Sequence, residues 1–217
     1  TGAAGGSALQ PTTSPAAPNP STLRKSRRLG AGKNLSIPTS CFPPIMRNRR
    51  ADSSSPELPT MQGTTIILAA GASRRMGSPK ALMPWGECTF VQHLCVVLDG
   101  LDFAHRAVVT RPELTQSLKV KWPLWVNPDP ERGMLSSLQT ALVHLEANCP
   151  WLLVTLVDQP AIHPRTFQVM VAQATDTGWS SPVHQGRPGH PVVIGRECFA
   201  HLAAAPPEQS PRQVLSA

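Results

Sequence analysis

A short apolar run that stops at a glycine constrains the fold of this chain more than any other part of its sequence. Residues 64–70 read Thr-Thr-Ile-Ile-Leu-Ala-Ala, and Gly71 follows them. A β-branched, apolar segment of this length, bounded by glycine, is typical of a parallel strand that is buried on both faces. Helices must cover both faces of a sheet that holds such a strand, so the run predicts an α/β protein.

The rest of the chain after residue 64 alternates between strand and helix patterns. Short apolar runs predict further strands at residues 107–110, 124–127 and 151–157. Residues 181–184 and 191–194 flank the segment 185–190, for which we predict a ribbon or a loop. Apolar residues at helical spacing predict helices over residues 90–101, 134–145 and 167–174, the first with Thr89 as its N-cap. Strands that alternate with helices of this length form βαβ units. We therefore predict one α/β domain over residues 61–217, with a mostly parallel sheet.

Residues 1–60 have a different composition. They hold nine prolines and no sustained apolar period, so they cannot bury enough surface to offset their chain entropy, and we predict a disordered extension. Eight basic and two acidic residues give this extension a charge of +6, against +7 for the whole chain. The remainder is nearly neutral, so the basic pI does not by itself argue for a nucleic-acid-binding domain, and we predict no nucleic-acid partner. Nucleic-acid binding through Arg24–Arg28 and Arg47–Arg50 is the alternative. Two interpretations fit this segment. It is either an organelle transit peptide or an upstream extension outside the functional protein, which would then start at Met61.

Two classes of protein are excluded by simple counts. No apolar run approaches the roughly 18 residues that a membrane-spanning helix needs, so we predict no membrane association. The five cysteines include no C-x-x-C pair, which leaves no disulfide framework and no zinc ligand set. Free thiols are the simplest interpretation, and they predict a cytoplasmic protein.

The segment after the first strand has the composition of an anion-binding loop. Small residues at 69–72 allow backbone N–H groups to approach a ligand closely, and Gly71 can adopt a positive φ. Arg74, Arg75 and Lys80 add positive charge, so the loop predicts a polyphosphate ligand. The spacing differs from a Walker A loop, because Ser78 and Pro79 separate the lysine from Gly77, and from G-x-G-x-x-G as well.

A carboxylate ends the strand predicted at 151–157. Asp158 should face the crevice at the carboxyl end of the sheet, because an unpaired buried charge costs several kcal/mol. A carboxylate beside a triphosphate needs a cation between them, and oxygen ligands suit Mg²⁺. A structural role as the cap of the next helix is the alternative.

The segment Asn-Pro-Asp-Pro-Glu-Arg-Gly-Met-Leu-Ser-Ser-Leu at 127–138 follows another predicted strand. Gly133 and the serines after it predict a helix start whose free N–H groups face an anion or a base edge. An ordinary helix start, without ligand contact by Ser136 or Ser137, remains the alternative.

These motifs together resemble the MobA-like nucleotidyltransferases, the group that contains the molybdenum cofactor guanylyl- and cytidylyltransferases. The 68–80 loop resembles L-A-[AG]-G-x-[SG]-x-R-M-G-x-x-K, and Asp158-Gln159-Pro160 resembles the D-x-P metal motif. Ala69-Ala70-Gly71, the 127–138 segment and Gly189-His190-Pro191 are similar to the cytidylyltransferase branch. The resemblance covers roughly residues 64–200, and its motifs occur in the family's order.

The resemblance implies a three-layer, Rossmann-like nucleotidyltransferase fold and transfer of CMP from CTP, with Mg²⁺, to a phosphorylated acceptor, which we expect to be the molybdopterin cofactor. A molybdoenzyme that receives the cofactor is a further expected partner. The resemblance also implies catalytic roles for Lys80, Arg75 and Asp158, the last as metal ligand. It places His190 near the acceptor, where this side chain either contacts a phosphate or pterin or has a structural role. The nucleotide-binding residues that it implies are Leu68, Ala69, Ala70, Gly71, Lys80, Asn127, Gly133 and Ser137.

Two alternatives stay open at this point. The acceptor could be another phosphorylated molecule such as a sugar phosphate, or the chain could be a non-catalytic nucleotide-binding maturation factor. The family also continues past this point to a further acidic segment, whereas residues 208–217 resemble the helix just before it. We therefore expect residues 1–217 to be a partial product whose C-terminus is truncated, with weak metal affinity.

Overall fold

A computed structural model describes residues 61–73, 77–101 and 103–216, and only the backbone of Met61. The predictions made for residues 1–60 and for Arg74 and Arg75 lie outside the described residues.

A six-stranded sheet in the order β5-β4-β1-β6-β10-β7 forms the centre of the described chain. Its strands are β1 (Met61–Leu68), β4 (Phe103–Thr110), β5 (Leu124–Val126), β6 (Trp151–Leu156), β7 (Trp179–Ser180) and β10 (Val192–Gly195). The first four in sequence are parallel to one another, while β10 is antiparallel to both β6 and β7. The prediction of a mostly parallel sheet is confirmed.

Strand β1 lies in the middle of the parallel part. Ile66 and Ile67 are completely buried, one on each face of the sheet, as the unbroken apolar pattern of residues 64–70 predicts. On one side Leu68 pairs with Val109 of β4, and on the other it pairs with Leu156 of β6. The carboxyl ends of three strands therefore lie side by side.

Helices cover both faces of the sheet, which confirms the three-layer α/β architecture. They are α1 (Phe90–Asp99), α2 (Met134–Val143), α3 (Pro164–Ala172), α4 (Phe199–Ala204) and α5 (Pro211–Leu215). Thr89 caps α1 as predicted, and its side chain and that of Gln92 form a capping box. The predicted helix over 134–145 ends two residues earlier, and the one at 167–174 begins three residues earlier, at Pro164.

Each face of the sheet contributes to a separate apolar core. Val91, Leu94 and Leu98 of α1 pack with Phe167 and Met170 of α3 on one face. On the other face α2, α4 and α5 pack over the sheet, with the residues Leu135, Leu138, Ala141, Leu202, Val214 and Leu215. This division places α2 beside the carboxyl end of β1.

The ribbon predicted around residues 185–190 is present, whereas β7 at 179–180 and β10 belong to the central sheet. The ribbon consists of β8 (Val183–His184) and β9 (Arg187–Pro188), which pair antiparallel. Gln185 and Gly186 at its turn have φ values of 49° and 75°, as a tight antiparallel hairpin requires. A further short pair, β2 (Pro84–Trp85) and β3 (Cys88–Thr89), lies before α1.

The longest helices within residues 61–73, 77–101 and 103–216 have ten residues, and none of the described helices has the length and apolarity to cross a membrane. Cys95, Cys149 and Cys198 are free thiols, as predicted.

Gly195 at the end of β10 offers a test of this packing. A Cβ at this position would lie 2.6 Å from the backbone carbonyl of Asp176, which cannot move without shifting the chain. We expect Gly195→Ala to lower the free energy of unfolding by about 1–3 kcal/mol, as overpacking does. Gly189→Ala is the matched control, because its Cβ would meet the Pro182 carbonyl at an ordinary 3.8 Å. Equal denaturation midpoints for the two variants would contradict this description of the packing at the end of β10.

Candidate active site

The carboxyl end of β1 is fixed to its neighbours by two backbone hydrogen bonds. The N–H of Ala69 donates to the Val109 carbonyl at 2.8 Å, and the N–H of Val157 donates to the Leu68 carbonyl at 3.1 Å. These bonds bring the loop after β1 next to the residues that follow β6. The crevice expected at the carboxyl ends of parallel strands forms at this point.

A cleft of about 330 Å³ opens there. Its walls come from three segments that are distant in sequence: the loop after β1, the start of α2, and the end of β6. The residues of its lining are Leu68, Ala69, Ala70, Gly71, Ser73, Lys80, Ala81, Pro130, Gly133, Met134, Ser137, Leu156, Val157 and Asp158. The structure therefore brings together eight of the predicted site residues along one surface.

Small side chains keep the loop wall of the cleft open. A Cβ at Gly71 would have no described atom within 4 Å, so a ligand can approach the backbone there. The positive φ expected as an option at Gly71 occurs instead at Ser73 and Gly77, at 49° and 69°. The Oγ of Ser73 accepts a hydrogen bond from the Lys80 backbone N–H at 3.0 Å. This bond closes the loop and sets the start of the 3₁₀ turn at Lys80–Leu82.

The charged residues of the cleft form one ion pair. The Nζ of Lys80 donates to Oδ2 of Asp158 at 2.8 Å, and the two side chains are 38% and 36% exposed. At this exposure the pair contributes little to stability, at most about 1 kcal/mol. Its significance is positional, because it places a cation and a carboxylate within reach of the same ligand.

The start of α2 forms the third wall. Gly133 precedes the helix with φ 107°, a backbone conformation that side chains with a Cβ rarely adopt. Ser137 lines the cleft, whereas Asn127 lies behind this wall and is only 2% exposed. The Nδ2 of Asn127 donates to the Oγ atoms of Ser136 and Ser137 at 2.9 and 3.0 Å. Of the predicted nucleotide-contacting residues within the described chain, Asn127 alone does not line the cleft.

A second, more apolar cleft of about 220 Å³ shares Leu68 and Met134 with the first. Its remaining lining includes Trp179, Ser181, His190, Ser210 and Arg212. The Nδ1 of His190 is buried and has no hydrogen-bond partner among the described residues. Burial lowers the pKa of His190, while a hydrogen bond to the Val154 backbone and the charge of Asp158 oppose part of that shift.

Few side chains of the cleft could bind a metal ion. Within the three described ranges, no group of three or more histidine, cysteine or acidic side chains could enclose a metal ion. Asp158 is a half-exposed carboxylate on the cleft wall, which fits an ion that keeps several waters and binds through one or two carboxylates plus phosphate oxygens. The residues present therefore fit Mg²⁺ that arrives together with a nucleotide.

Several residues of the cleft were not predicted from the sequence. Ser73 is one more small residue in a run of small residues, so nothing in the sequence distinguishes it from its neighbours. Its hydrogen bond to the Lys80 backbone depends on the folded path of the loop. Pro130 and Met134 reach the cleft because the 3₁₀ turn at Pro130–Arg132 folds back before α2. The signal for Met134 was its place directly after the predicted helix-opening glycine.

The sequence profile of the MobA-like NTP transferase domain matches residues 65–217, which is more than half of the chain. The chain belongs to this family. The match confirms the resemblance and the prediction of an enzyme of the nucleotidyltransferase class.

Two curated relatives show how the chain compares within the family. It is 28% identical over 156 residues to the molybdenum cofactor cytidylyltransferase of Escherichia coli, an alignment that covers 69% of this chain and 79% of that one. It is 32% identical over 118 residues to a probable molybdenum cofactor guanylyltransferase of Deinococcus radiodurans, which covers 54% and 58%. The chain therefore spans little more than half the length of this second relative.

Solved structures confirm the fold. Rv0371c from Mycobacterium tuberculosis superimposes with a TM-score of 0.62 at 25% identity, over 69% of this chain and 79% of that one. The same protein has been solved in complex with manganese, and that structure aligns with a TM-score of 0.57 at 22% identity, over 66% and 76% of the two chains. The second likeness concerns the fold alone.

The Lys80–Asp158 ion pair leads to a prediction for the binding of a divalent metal ion in the absence of nucleotide. A divalent ion at the Asp158 carboxylate competes with the Lys80 ammonium, which pairs with Oδ2 and repels a second cation, so removing the ammonium should raise metal affinity. We expect Lys80→Met to bind Mn²⁺ up to about fivefold more tightly without nucleotide, the equivalent of an exposed ion pair. Asp158→Asn should bind it more weakly than the unsubstituted protein. Mn²⁺ titrations followed by electron paramagnetic resonance measure both, and unchanged affinity in Lys80→Met would contradict the competition.

The lowered pKa of His190 predicts a loss of stability in mild acid. Its neutral form is favoured in the folded state, so its contribution is complete above the ordinary histidine pKa of about 6.5 and is lost as the pH falls below that value toward the folded pKa. We expect the melting temperature to fall less steeply between pH 7 and pH 5 in His190→Gln than in the unsubstituted protein. His184→Gln, at an exposed position of the same ribbon, should keep the original slope.

Proposed function

We propose that this chain transfers CMP from CTP to a phosphorylated acceptor, the molybdopterin cofactor, and releases pyrophosphate. One observation carries the proposal: Lys80 and Asp158 meet at 2.8 Å on the wall of a cleft whose loop offers unobstructed backbone. A cation, a carboxylate and accessible amides are the groups that a triphosphate and its metal ion require. The names of both curated relatives support the molybdenum cofactor as acceptor.

The choice of CTP over GTP rests on sequence features of the cleft. Ala69-Ala70-Gly71 and Asp158-Gln159-Pro160 are similar to the cytidylyltransferase branch, and both segments contribute to the lining. The Escherichia coli relative, which aligns over the longer stretch, is a cytidylyltransferase. GTP is the rival substrate, because the Deinococcus radiodurans relative is named as a guanylyltransferase at 32% identity.

The reaction depends more on how the two substrates are positioned than on acid or base side chains. A terminal phosphate oxygen of the acceptor attacks the α-phosphorus of CTP, a new P–O bond forms, and the bond to the leaving pyrophosphate breaks. The acceptor phosphate is ionised at neutral pH, so no side chain has to remove a proton. Catalysis then depends on holding the two phosphates in line and on stabilising the charge that develops on the leaving group.

The charged side chains and the open backbone of the cleft have distinct roles in this scheme. The Lys80 ammonium leaves Asp158 to neutralise phosphate oxygens, and the amides at 69–71 hold the phosphate chain. Asp158 holds Mg²⁺, which when bound polarises the phosphate oxygens and neutralises part of their charge. Arg75, predicted from the loop motif, adds a further positive charge.

The acceptor has a candidate place in the second cleft. That cleft adjoins the first through Leu68 and Met134, so a molecule in it would reach the nucleotide. The Trp179 ring offers a flat apolar surface, and the unpartnered Nδ1 of His190 offers a hydrogen-bonding atom to a pterin or a phosphate. A small sugar phosphate would leave much of this apolar surface uncovered, which favours the larger heteroaromatic acceptor.

Pyrophosphate release, measured with each NTP and with molybdopterin or sugar phosphates as acceptors, tests the proposal. We expect the fastest release with CTP and molybdopterin. Faster turnover with GTP would overturn CTP specificity, and faster turnover with a sugar phosphate would overturn the acceptor. Nucleotide binding without pyrophosphate release from any combination would identify a non-catalytic maturation factor instead.

Substitutions at the ion pair test the site. We expect Lys80→Ala to lower kcat/KM about 100-fold, equivalent to about 3 kcal/mol of lost transition-state stabilisation. Asp158→Asn should abolish most of the activity and leave the melting temperature nearly unchanged, because its partner is an exposed lysine rather than the core.

Two exposed residues outside the cleft lining are matched controls for these substitutions. Lys119→Ala removes an exposed cation whose Nζ donates to the Gln116 carbonyl, and Asp129→Asn removes an exposed carboxylate next to Pro130, which lines the cleft. Both should keep near-normal turnover. If they lose as much activity as Lys80→Ala and Asp158→Asn, the effect belongs to general surface charge and the assigned site is wrong. If Asp158→Asn fails to fold, the carboxylate is a structural cap.

A further inference from the structure

Helix α4 is followed by two consecutive prolines, which leave part of its backbone without donors. In an α-helix each carbonyl accepts from the N–H four residues later, so the carbonyls of Leu202 and Ala203 would accept from residues 206 and 207. Pro206 and Pro207 have no N–H, and neither of these two hydrogen bonds can form. Two carbonyls at the end of α4 therefore need a donor from elsewhere in the protein.

Gln139 of α2 supplies that donor. Its Nε2 donates to the Leu202 carbonyl at 3.0 Å, to the Ala203 carbonyl at 3.4 Å and to the Ala205 carbonyl at 2.8 Å. The three carbonyl oxygens settle the orientation of the amide, because only its NH₂ group can donate to them. One side chain of α2 thus replaces the backbone donors that the prolines lack, and it joins α2 to the end of α4.

The chain that follows α4 forms one wall of the second cleft. Ser210, Arg212 and Leu215 lie in this segment and line the cleft. Its helix α5 has only five residues, too few for a helix that is stable by itself, so its position depends on what holds its two ends. At the far end the Trp179 indole N–H donates to the Leu215 carbonyl at 2.7 Å. At the near end, the Gln139 hydrogen bonds fix the direction in which the chain leaves α4.

A second polar contact between this segment and α2 is weaker. Arg132, just before α2, forms an ion pair with Glu208 at 3.8 Å, and the two side chains are 50% and 69% exposed. An ion pair with this exposure contributes little to the position of a chain. Within the described ranges, the Gln139 amide therefore makes the closest polar contacts between α2 and the segment that leads to α5.

We infer that Gln139 is a positioning residue for the transfer reaction: by supplying the donors that Pro206 and Pro207 lack, it holds the α5 wall of the second cleft at a fixed distance from the nucleotide. Helix α2 is common to both clefts, because its first turn lines the first cleft and Leu138 lines the second. Gln139 itself lines neither of them. The inference deepens the proposed function and rests on it.

The position of this wall matters because transfer requires two reacting atoms to meet in line. They must approach to about 3–3.5 Å, and an error of about 1 Å can lower the rate about 100-fold. Under the proposed function the acceptor lies against α5, while CTP lies in the first cleft. A displaced α5 would therefore move the acceptor and leave the nucleotide where it is.

Substitutions that separate the donors of Gln139 from its volume test the inference. Gln139→Met keeps the length without a donor, and Gln139→Glu keeps the shape but presents a carboxylate that repels the carbonyls. Gln139→Lys restores donors, and a cation suits the carbonyl end of a helix. We expect kcat/KM for molybdopterin to fall at least about tenfold in Gln139→Met and Gln139→Glu, and less than about threefold in Gln139→Lys. A side chain that only fills space would tolerate methionine better than lysine.

Two further measurements locate the effect. The dissociation constant of CTP in Mg²⁺ should change less than about twofold in all three variants, because the first cleft is intact. Without any ligand, the backbone amides of residues 213–216 should exchange hydrogen about tenfold faster in Gln139→Met, while those of β1 keep their rates. Gln173→Met is the matched control, since Gln173 is an exposed glutamine at the end of α3, on the opposite face of the sheet. It should change none of these quantities.

The outcomes separate the inference from the proposed function. If Gln139→Met keeps its kcat/KM for molybdopterin, Gln139 is at most a cap of α4, and the inference is wrong even where α5 exchanges faster. A parallel loss of CTP affinity would also overturn it, because the effect would then lie in the first cleft. If Gln139→Glu does not fold, the order of Gln139→Met and Gln139→Lys still decides. An unsubstituted protein that releases no pyrophosphate with molybdopterin would overturn the proposed function and the inference with it.

Discussion

The pairing of β1 with two parallel neighbours is the constraint on which the rest of this structure depends. Leu68 stands level with Val109 on one side and with Leu156 on the other, and backbone bonds from Ala69 and Val157 extend the pairing past the strand ends. A shift of the β1–β6 register by one residue would turn every side chain of β1 to the opposite core and would break these backbone bonds. That same register brings Lys80 and Asp158 together, although they are 78 residues apart.

Burial and exposure are divided sharply at the end of the sheet. The strand interiors are fully apolar or carry small buried threonines, whereas the loops that leave them offer backbone amides, one ammonium and one carboxylate. Such a division lets the rigid sheet hold polar groups in place without burying their charge. The ion pair remains half exposed, so its partners can separate when a ligand with greater charge enters. A deeply buried pair would be far harder to separate, because each partner would be left as an uncompensated charge.

The α2 wall shows how a buried polar group can serve a surface that it does not touch. Asn127 ends one strand segment, and its amide holds the first turn of α2 through two serines and the backbone of Asp129. Four of its hydrogen-bonding positions would be costly to leave empty at 2% exposure, and three of them are filled by the protein. The network fixes the start of α2 and, with it, one wall of the cleft.

Sequence alone determined the α/β class, the central parallel strands and the Thr89 cap, and it pointed to residues of all three cleft walls, because each follows from local pattern. An unbroken apolar run must be buried on both faces, and a glycine followed by cations must leave its backbone open to an anion. Only the tertiary structure decided that β10 runs antiparallel to β6, since the pattern of a short strand does not carry its direction. Only the tertiary structure separated Ser137, which lines the cleft, from Asn127, which lies behind it. Both residues are polar and close in sequence, and their roles differ because the turn at Pro130–Arg132 and the start of α2 direct one toward the cleft and the other toward the protein interior.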